Sequence, residues 1–209
     1  MKVTDKITIT NEDNMLLMSR YPDNYFDLAI VDPPYGIDIT NSGWVKSNKN
    51  IKTNNDWDNS IPKKEYFDEL KRVSKNQIIW GGNYFLDYLT NTRCFIIWDK
   101  QIGECTSFAS SELAWTSFDK STKTIYEHPA KHGKNKIHPT QKPIYLYEWI
   151  LDKYAKEGDK ILDTHLGSGS IAIACHDYKF DLTACELDKE YFDKAIQRIN
   201  NHTAQTKLF

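Results

Sequence analysis

The segment Asp32-Pro33-Pro34-Tyr35-Gly36 places a carboxylate, two rigid residues and an aromatic ring directly after the apolar run "LAIV". Proline fixes the backbone φ angle and carries no amide donor. The corner therefore presents Asp32 and the carbonyl of Pro33 as two rigid acceptors. Two such acceptors suit the exocyclic amine of a nucleobase, whose lone pair must be localised before it attacks a methyl sulfonium. Tyr35 offers a face on which a base that has left the duplex can stack.

We therefore interpret Asp32, Pro33, Pro34 and Tyr35 as a catalytic corner for methylation of a base amine. The alternative interpretation is a stiff strand terminator with a partly buried tyrosine.

A second group of chemically suggestive residues lies in "KILDTHLGSGSIAIACHDY", which has the pattern of a strand, a glycine loop and a helix. Gly167 and Gly169 allow a tight turn and a close backbone approach. The first amides of the following helix can bind an anion. The next strand ends at Glu186, whose carboxylate can accept hydrogen bonds from both ribose hydroxyls. The pattern predicts a nucleoside-bearing cofactor, bound by Asp163, Gly167, Ser168, Gly169 and Glu186.

By itself this second pattern leaves three readings open: S-adenosylmethionine, a nicotinamide cofactor and no ligand.

The elements that must position these groups alternate between apolar stretches of strand length and stretches of helical period. This alternation is typical of a βα-repeating fold with a mainly parallel sheet. The predicted strands are "KITIT", "DLAIVD", "QIIWGG", "RCFIIWD", "ELAWTSF", "KILD" and "FDLTACE", and the predicted helices span 63–74, 144–155, 170–178 and 189–200. We expect one domain, 1–209, with a Rossmann-like, seven-stranded, mostly parallel α/β sheet and helices on both faces.

Charge is nearly balanced over the 209 residues, with 27 basic and 29 acidic side chains, so any nucleic-acid contact must come from local clusters of lysine. Two polar stretches without periodicity, 41–55 and 119–137, are interpreted as loops that are either simply solvated or in contact with DNA phosphates. The lysines assigned to DNA contact are Lys46, Lys49, Lys52, Lys120, Lys123, Lys131, Lys134 and Lys136.

No stretch has the length and apolarity of a signal peptide or a membrane span, so a cytoplasmic protein without membrane contact is expected. Cys94, Cys105, Cys175 and Cys185 form no C-x-x-C pair. They are predicted to be buried reduced thiols and no metal site is expected.

Four segments together resemble a known family. "DPPYG", "KIHPTQKP" (136–143), "LDTHLGSGS" and "CELD" follow one another in this order. They resemble motifs of the β-class, circularly permuted DNA amino-methyltransferases of the adenine-N6 type, which depend on S-adenosylmethionine. The resemblance covers nearly the whole chain and implies a methyltransferase sheet with the catalytic motif first and the cofactor loop last.

The resemblance also assigns further residues. Beyond the glycine loop, it places cofactor contacts at Asp13, Asp32, His138, Thr140, Gln141 and Lys142. The chain departs from the commoner family pattern at Thr164 and His165, where proline and phenylalanine are usual. In "WGGNYF", Gly81 and Gly82 are interpreted as packing against the neighbouring pocket, and the aromatic residues as part of the core.

The function so predicted is direct methyl transfer from S-adenosylmethionine to the 6-amino group of a flipped adenine in DNA, without a metal or a covalent intermediate. The resemblance implies DNA as a partner, a homodimer and a possible restriction enzyme acting on the same site. Methylation of the 4-amino group of cytosine is the closest alternative. Others are a catalytically silent DNA-binding partner, protein glutamine methylation and a nicotinamide oxidoreductase.

Overall fold

The computed structural model describes residues 1–38, 58–103, 109–129 and 136–204. The strands in these ranges are β1 (Ile7–Thr10), β2 (Phe26–Val31), β3 (Ser74–Trp80), β4 (Phe95–Asp99), β5 (Ser111–Thr116), β6 (Lys123–Tyr126), β7 (Lys160–Asp163) and β8 (Asp181–Cys185). The α-helices are α1 (Asn14–Ser19), α2 (Lys64–Val73), α3 (Ile144–Tyr154), α4 (Ser170–Asp177) and α5 (Lys189–Thr203), and a 3₁₀ helix spans Gly82–Tyr84.

All these strands belong to one sheet with the order β1-β8-β7-β2-β3-β5-β4-β6. β5 runs antiparallel to both of its neighbours, and every other neighbouring pair is parallel. β2 and β7 are far apart in the chain but adjacent in the sheet, and the winding of the chain changes direction between them. In doubly wound sheets, ligands bind at the carboxyl ends of the strands at such a point. The fold therefore places a binding crevice beyond the ends of β2 and β7.

Helices cover both faces of the sheet, as predicted. Alternate residues of a strand point to opposite faces. Accordingly, Leu28 and Ile30 join the core cluster under α3, α4 and α5, whereas Ala29 and Val31 join the cluster under α1 and α2. Because both faces are buried, β2 is apolar over most of its length, which is why it was recognisable in the sequence.

Two elements differ from the sequence prediction. β6 lies inside the stretch 119–137, which was interpreted as a loop, and gives the sheet an eighth strand. It was missed because Ile125 is its single buried residue, so "KTIY" shows no clear period. Helix α1 was also missed because it is short; Asp13 caps it by accepting hydrogen bonds from the amides of Met15 (2.8 Å) and Leu16 (3.2 Å).

Some predicted features lie outside the described residues: the loop 41–55 with Lys46, Lys49 and Lys52, and also Lys131, Lys134 and Cys105. Cys94, Cys175 and Cys185 are buried free thiols, as predicted. Within the described ranges, no helix has both the length and the apolarity that crossing a membrane requires.

Candidate active site

The catalytic corner begins directly after β2, where the carboxylate of Asp32 is held by two donors. The hydroxyl of Tyr35 donates to Oδ1 of Asp32 over 2.6 Å, and the Nζ of Lys142 donates to Oδ2 over 2.5 Å. Nζ of Lys142 also lies 3.2 Å from the Tyr35 hydroxyl. The structure thus brings together two residues predicted from separate motifs, and each oxygen of Asp32 has a fixed orientation.

A buried carboxylate that the sequence analysis missed fixes the backbone of this corner. Asp58 is 2% exposed, and its Oδ1 accepts hydrogen bonds from the amides of Tyr35 (2.8 Å) and Gly36 (3.0 Å). A single aspartate at the end of a polar stretch gives no motif, so only the folded chain reveals this contact.

The ring of Tyr35 packs against the start of the 3₁₀ helix. Gly81 has a φ angle of +70°, and a Cβ atom built on it would lie 2.2 Å from the Tyr35 ring. A Cβ on Gly82 would lie 2.5 Å from Cβ of Trp115. These contacts confirm that both glycines are needed for close packing beside the pocket.

Tyr84 differs from its predicted position. It was interpreted as a core residue, but it is 41% exposed and stacks on Tyr35 with ring centroids 4.9 Å apart and an interplanar angle of 14°. The interpretation is wrong for Tyr84, because the 3₁₀ helix turns its ring out of the core and towards the cleft.

A series of alternating charges extends from Asp32 along the cleft. The side chain of Lys142 is only 3% exposed and lies between Asp32 and Oε2 of Glu112, which is 3.1 Å from Nζ. Lys100 pairs with the other carboxylate oxygen of Glu112 at 2.7 Å. Burial raises the pKa of Asp32, and the Lys142 ammonium offsets part of that rise. Burial alone would also raise the pKa of Glu112, but Lys142 and Lys100 outweigh it and hold that pKa at about 2.

Glu112 and Lys100 were not predicted as site residues. The ammonium of Lys142, predicted to contact the cofactor, is placed on Asp32 instead. Its contact with the cofactor stays a prediction.

The glycine loop joins β7 to α4 beside the catalytic corner. Glu186 accepts hydrogen bonds from the amide of Gly167 at Oε2 (2.8 Å) and from the amide of Asp188 at Oε1 (3.0 Å). Asp163 is 3% exposed and accepts a hydrogen bond from the amide of His165 (3.0 Å), and burial raises its pKa to about 8. Two carboxyl groups therefore flank the loop: Glu186, which follows β8 and lines the cleft, and Asp163, which ends β7 and is buried.

The segment 136–143 lies next to this loop. His138 is 9% exposed, packs on the ring of Tyr191 with centroids 4.3 Å apart, and has its Nδ1 3.1 Å from Oγ1 of Thr140. Burial lowers its pKa to about 3, so the ring is neutral. Oε1 of Gln141 accepts a hydrogen bond from the amide of Ile137 (3.0 Å). These bonds hold the segment in a defined turn before α3.

The unusual pair Thr164 and His165 is part of a hydrogen-bonded chain. Nδ2 of Asn14 donates to Nε2 of His165 (3.1 Å), Nδ1 of His165 is 2.9 Å from Oγ1 of Thr164, and that oxygen is 2.7 Å from the hydroxyl of Tyr66. Burial lowers the pKa of His165 to about 3, which agrees with a neutral ring that accepts at Nε2. This series of hydrogen bonds connects the end of β7 to α1, next to Asp13.

These groups line one cleft of about 1540 Å³. Single small-molecule sites usually occupy about 300–1,000 Å³, so the cleft has room for a cofactor together with a nucleotide. The predicted residues that line it are Asp13, Asp32, Pro33, Pro34, Tyr35, Lys136, His138, Thr140, Gln141, Lys142, Gly167, Ser168 and Glu186. Asp163 and Gly169 support it from below: Asp163 is buried, and a Cβ on Gly169 would lie 2.9 Å from Cδ1 of Ile199.

The described lysines assigned to DNA contact fall into two groups. Lys136 lines the cleft, and burial lowers its pKa. Lys120, in contrast, follows the antiparallel β5 and donates to the carbonyl of Lys153 at the end of α3 (3.1 Å), and Lys123 begins β6. Both lie at the edge where the parallel strands begin, opposite to Asp32. The structure therefore does not bring Lys120 and Lys123 to the cleft.

His165→Gln is expected to change the stability of the protein in a pH-dependent way. The pKa of His165 is lowered from 6.5 to about 3 in the folded protein, so below pH 6.5 the unfolded chain binds a proton that the folded chain does not. Lowering the pH from 7.5 to 5.5 should therefore cost the natural protein about 1.4 kcal/mol that the glutamine variant does not lose. Urea unfolding of both proteins at the two pH values measures this difference.

Asp163→Asn provides a comparison of opposite sign. The pKa of Asp163 is raised to about 8, so its contribution to stability is present at low pH and is lost as the pH rises through that value. The variant lacks this loss and should gain relative stability towards pH 7.5. For His165→Gln, a destabilisation of equal size at both pH values would contradict a ring that stays neutral in the folded protein.

Comparison with known proteins gives matches over most of the chain. A family model of N6/N4 methyltransferases, described as DNA methylase, matches residues 79–197. The Type II methyltransferase M2.DpnII of Streptococcus pneumoniae is 24% identical over 251 aligned residues, covering 93% of this chain and 90% of the relative. M2.MboI of Moraxella bovis is 25% identical, covering 91% and 86%. M.HpaI of Haemophilus parainfluenzae is 35% identical over 77 residues, which are 36% of this chain and 24% of that relative.

Solved structures share the fold. A crystal structure titled as the M1.HpyAVI–SAM complex has a TM-score of 0.62 and 20% identity, covering 93% of this chain and 99% of that one. The PvuII DNA methyltransferase, titled cytosine-N4-specific, has a TM-score of 0.66 and 11% identity, covering 95% and 92%. These likenesses confirm the predicted Rossmann-like methyltransferase sheet; the circular permutation stays a prediction.

Proposed function

This chain belongs to the N6/N4 DNA methylase family, and we propose that it transfers a methyl group from S-adenosylmethionine to the 6-amino group of an adenine in DNA. Family membership confirms the predicted enzyme class, a DNA methyltransferase, and the predicted methyl donor. The observation that carries the proposal is the fixed carboxylate of Asp32, which lines the same cleft as Gly167 and Glu186.

The donor set beside β7 fits this cofactor. The carboxylate of Glu186 accepts backbone hydrogen bonds from Gly167, Leu187 and Asp188, and its two oxygens together offer about four acceptor positions, so it can still accept from a ribose hydroxyl. A Cβ on Gly167 would meet nothing nearer than 3.9 Å, which leaves the backbone there open to close approach. When bound, S-adenosylmethionine supplies an activated methyl group. The walls of the cofactor site are shaped by Asp163, by His138 and by the series of hydrogen bonds through His165.

The catalytic corner orients the amine that is methylated. Asp32 keeps a lone pair on each oxygen after its bonds to Tyr35 and Lys142, so it accepts one amine hydrogen while the Pro33 carbonyl accepts the other. The base stacks against the pair formed by Tyr35 and Tyr84. Alignment of this kind can supply several kcal/mol of the barrier. Because burial raises its pKa, Asp32 is also suited to take the proton that the methylated amine releases.

Adenine is proposed as the base because an aspartate begins the catalytic motif, whereas related cytosine-N4 enzymes more often carry serine there. The PvuII neighbour is titled cytosine-N4-specific, but at 11% identity the likeness supports the fold and not the choice of base. The local chemistry is the same for both amines, so the base must be identified in the product.

Incubation of unmethylated genomic DNA with the purified protein and labelled S-adenosylmethionine is expected to yield N6-methyladenine in one short sequence motif. Nucleoside mass spectrometry identifies the base, and modification-sensitive sequencing identifies the motif. Asp32→Ala is the control and should give no product. N4-methylcytosine would overturn the choice of base, and the absence of both products would overturn the proposed activity.

The proposed partners beyond DNA are a second copy of this chain and a restriction enzyme acting on the same site. Contact with DNA phosphates is proposed for Lys136 at the cleft and for the lysines outside the described residues. A homodimer would widen the DNA-binding surface by symmetry. The homodimer and the restriction enzyme are both proposed from the resemblance to restriction-linked methyltransferases.

A further inference from the structure

Four charged groups that line the cleft beside the catalytic corner form a connected set. Asp32, Lys142, Glu112 and Lys100 alternate in sign in this order, with gaps of 2.5, 3.1 and 2.7 Å between successive charged atoms. They come from the end of β2, the approach to α3, β5 and the end of β4. Glu112 and Lys100 belong to none of the motifs that indicated a methyltransferase, so their placement needs its own explanation.

We propose that Glu112 and Lys100 are positioning residues that tune the charge of the cleft, so that it accepts a cofactor whose sulfur carries a positive charge. The proposal rests on the proposed function. Glu112 is a second carboxylate beside the Lys142 ammonium, 3.1 Å from Nζ, and so prevents this ammonium from fully neutralising the catalytic carboxylate. Lys100, in turn, limits the negative charge that Glu112 contributes.

The balance of charges supports this role. Two carboxylates and two ammonium groups sum to zero, and loss of Glu112 would leave the set with a net positive charge. Lys136 also lines the cleft and adds a further positive group. The side chain of Lys142 is 3% exposed, so little solvent screens its charge. Glu112 is therefore the carboxylate that keeps this side of the cleft from repelling a cation.

The surroundings of Lys142 keep its charge in place. Its ammonium lies 5.1 Å from the ring centroid of Trp80, a fully buried side chain, which offers the favourable face of an aromatic ring. With a ring on one side and a carboxylate on each of two others, Nζ has little freedom to leave Asp32. Removing Glu112 would thus shift the whole ammonium charge onto the catalytic corner.

Chemistry requires the sulfonium to bind close to this set. In a reactive complex, the methyl carbon lies about 3–3.5 Å from the attacking nitrogen, and Asp32 holds that nitrogen. S-adenosylmethionine and S-adenosylhomocysteine have nearly the same shape, but only the first carries a positive charge on sulfur. The ratio of their affinities therefore reports the charge of the cleft and largely cancels any change in its shape.

The test is isothermal titration of the natural protein, Glu112→Gln and Lys100→Met with each of the two ligands. Glu112→Gln is expected to weaken binding of S-adenosylmethionine relative to S-adenosylhomocysteine by about tenfold, the effect of one charge at roughly 10 Å in partly screened surroundings. Lys100→Met should move the same ratio in the opposite direction. Glu112→Asp retains the charge and should keep the ratio near that of the natural protein.

Equal changes in both affinities would show that Glu112 has only a structural role and would overturn the inference. So would a shift of the ratio in the same direction for Glu112→Gln and Lys100→Met. If the natural protein bound neither ligand, the proposed function itself would fail. Thermal unfolding of each variant, measured in parallel, shows that the comparison is made on folded protein.

Discussion

Asp32→Asn is expected to lower the rate of methyl transfer by at least about 10²–10³-fold at saturating cofactor, the usual loss when one oriented hydrogen-bonding group is removed from an active site. The amide has one acceptor oxygen and a donor NH2 group. Because Tyr35 and Lys142 both donate to the carboxylate, the amide cannot satisfy both and also accept from the substrate amine. Single-turnover methylation of a short duplex measures the effect.

The same substitution also affects stability, which must be separated from chemistry. Lys142 is 3% exposed, and removing a partner from a buried charge costs about 3–5 kcal/mol when no other partner remains. Glu112 still pairs with Lys142 at 3.1 Å, so the loss should be smaller. The double variant Asp32→Asn/Lys142→Met removes the buried charge as well.

We expect this double variant to regain much of the unfolding free energy and none of the rate. A double variant with near-normal rate would mean that Asp32 serves only as a counterion of Lys142. Urea unfolding and the single-turnover rate, measured on the same preparations, distinguish the two.

Gly81→Ala is expected to reduce the rate by about 10²-fold, although Gly81 bears no functional group. A Cβ at this position would lie 2.2 Å from the ring of Tyr35, so the ring and its hydroxyl must move away from Asp32. A misplacement of about 1 Å at a reacting centre can cost about 10²-fold in rate. The left-handed backbone, with φ at +70°, adds a stability loss of about 1 kcal/mol.

Gly158→Ala is the matched control for the backbone effect. Gly158 also has a left-handed φ angle, +86°, but a Cβ there would meet no atom within 4 Å. This variant should lose about 1 kcal/mol of unfolding free energy and retain the natural rate. Similar rate losses in both variants would show that backbone strain, and not displacement of Tyr35, causes the effect at Gly81.

Much of the fold was predictable because its elements bury whole faces and so leave a period in the sequence. The predicted helix 63–74 corresponds to Lys64–Val73, and the predicted helix 144–155 to Ile144–Tyr154. The catalytic corner and the glycine loop were predictable because rigid or tightly turning backbones restrict residue types. β6 and α1 bury too few side chains to leave such a signal.

The supporting residues of the site were not predictable. Asp58 and Glu112 are single carboxylates, and each acts on a residue distant in the chain: Asp58 on the amides after Pro34, Glu112 on Lys142. Nothing local distinguishes such residues from surface acids. The lysines assigned to DNA contact were a different case, because a polar run does not reveal at which edge of a sheet it will lie. Lys120 lies at the edge away from the cleft.

The pairing of β2 with β7 has a consequence for synthesis of the protein. Leu28 and Ala29 pair with Ile161 and Leu162, and β1 pairs with β8. The catalytic corner thus emerges from the ribosome well before the strands that complete its sheet and flank the glycine loop. Contacts of such long sequence separation form slowly. A nascent chain therefore holds Asp32 without a cofactor site until β7 and β8 have been made, and it cannot methylate DNA before that point.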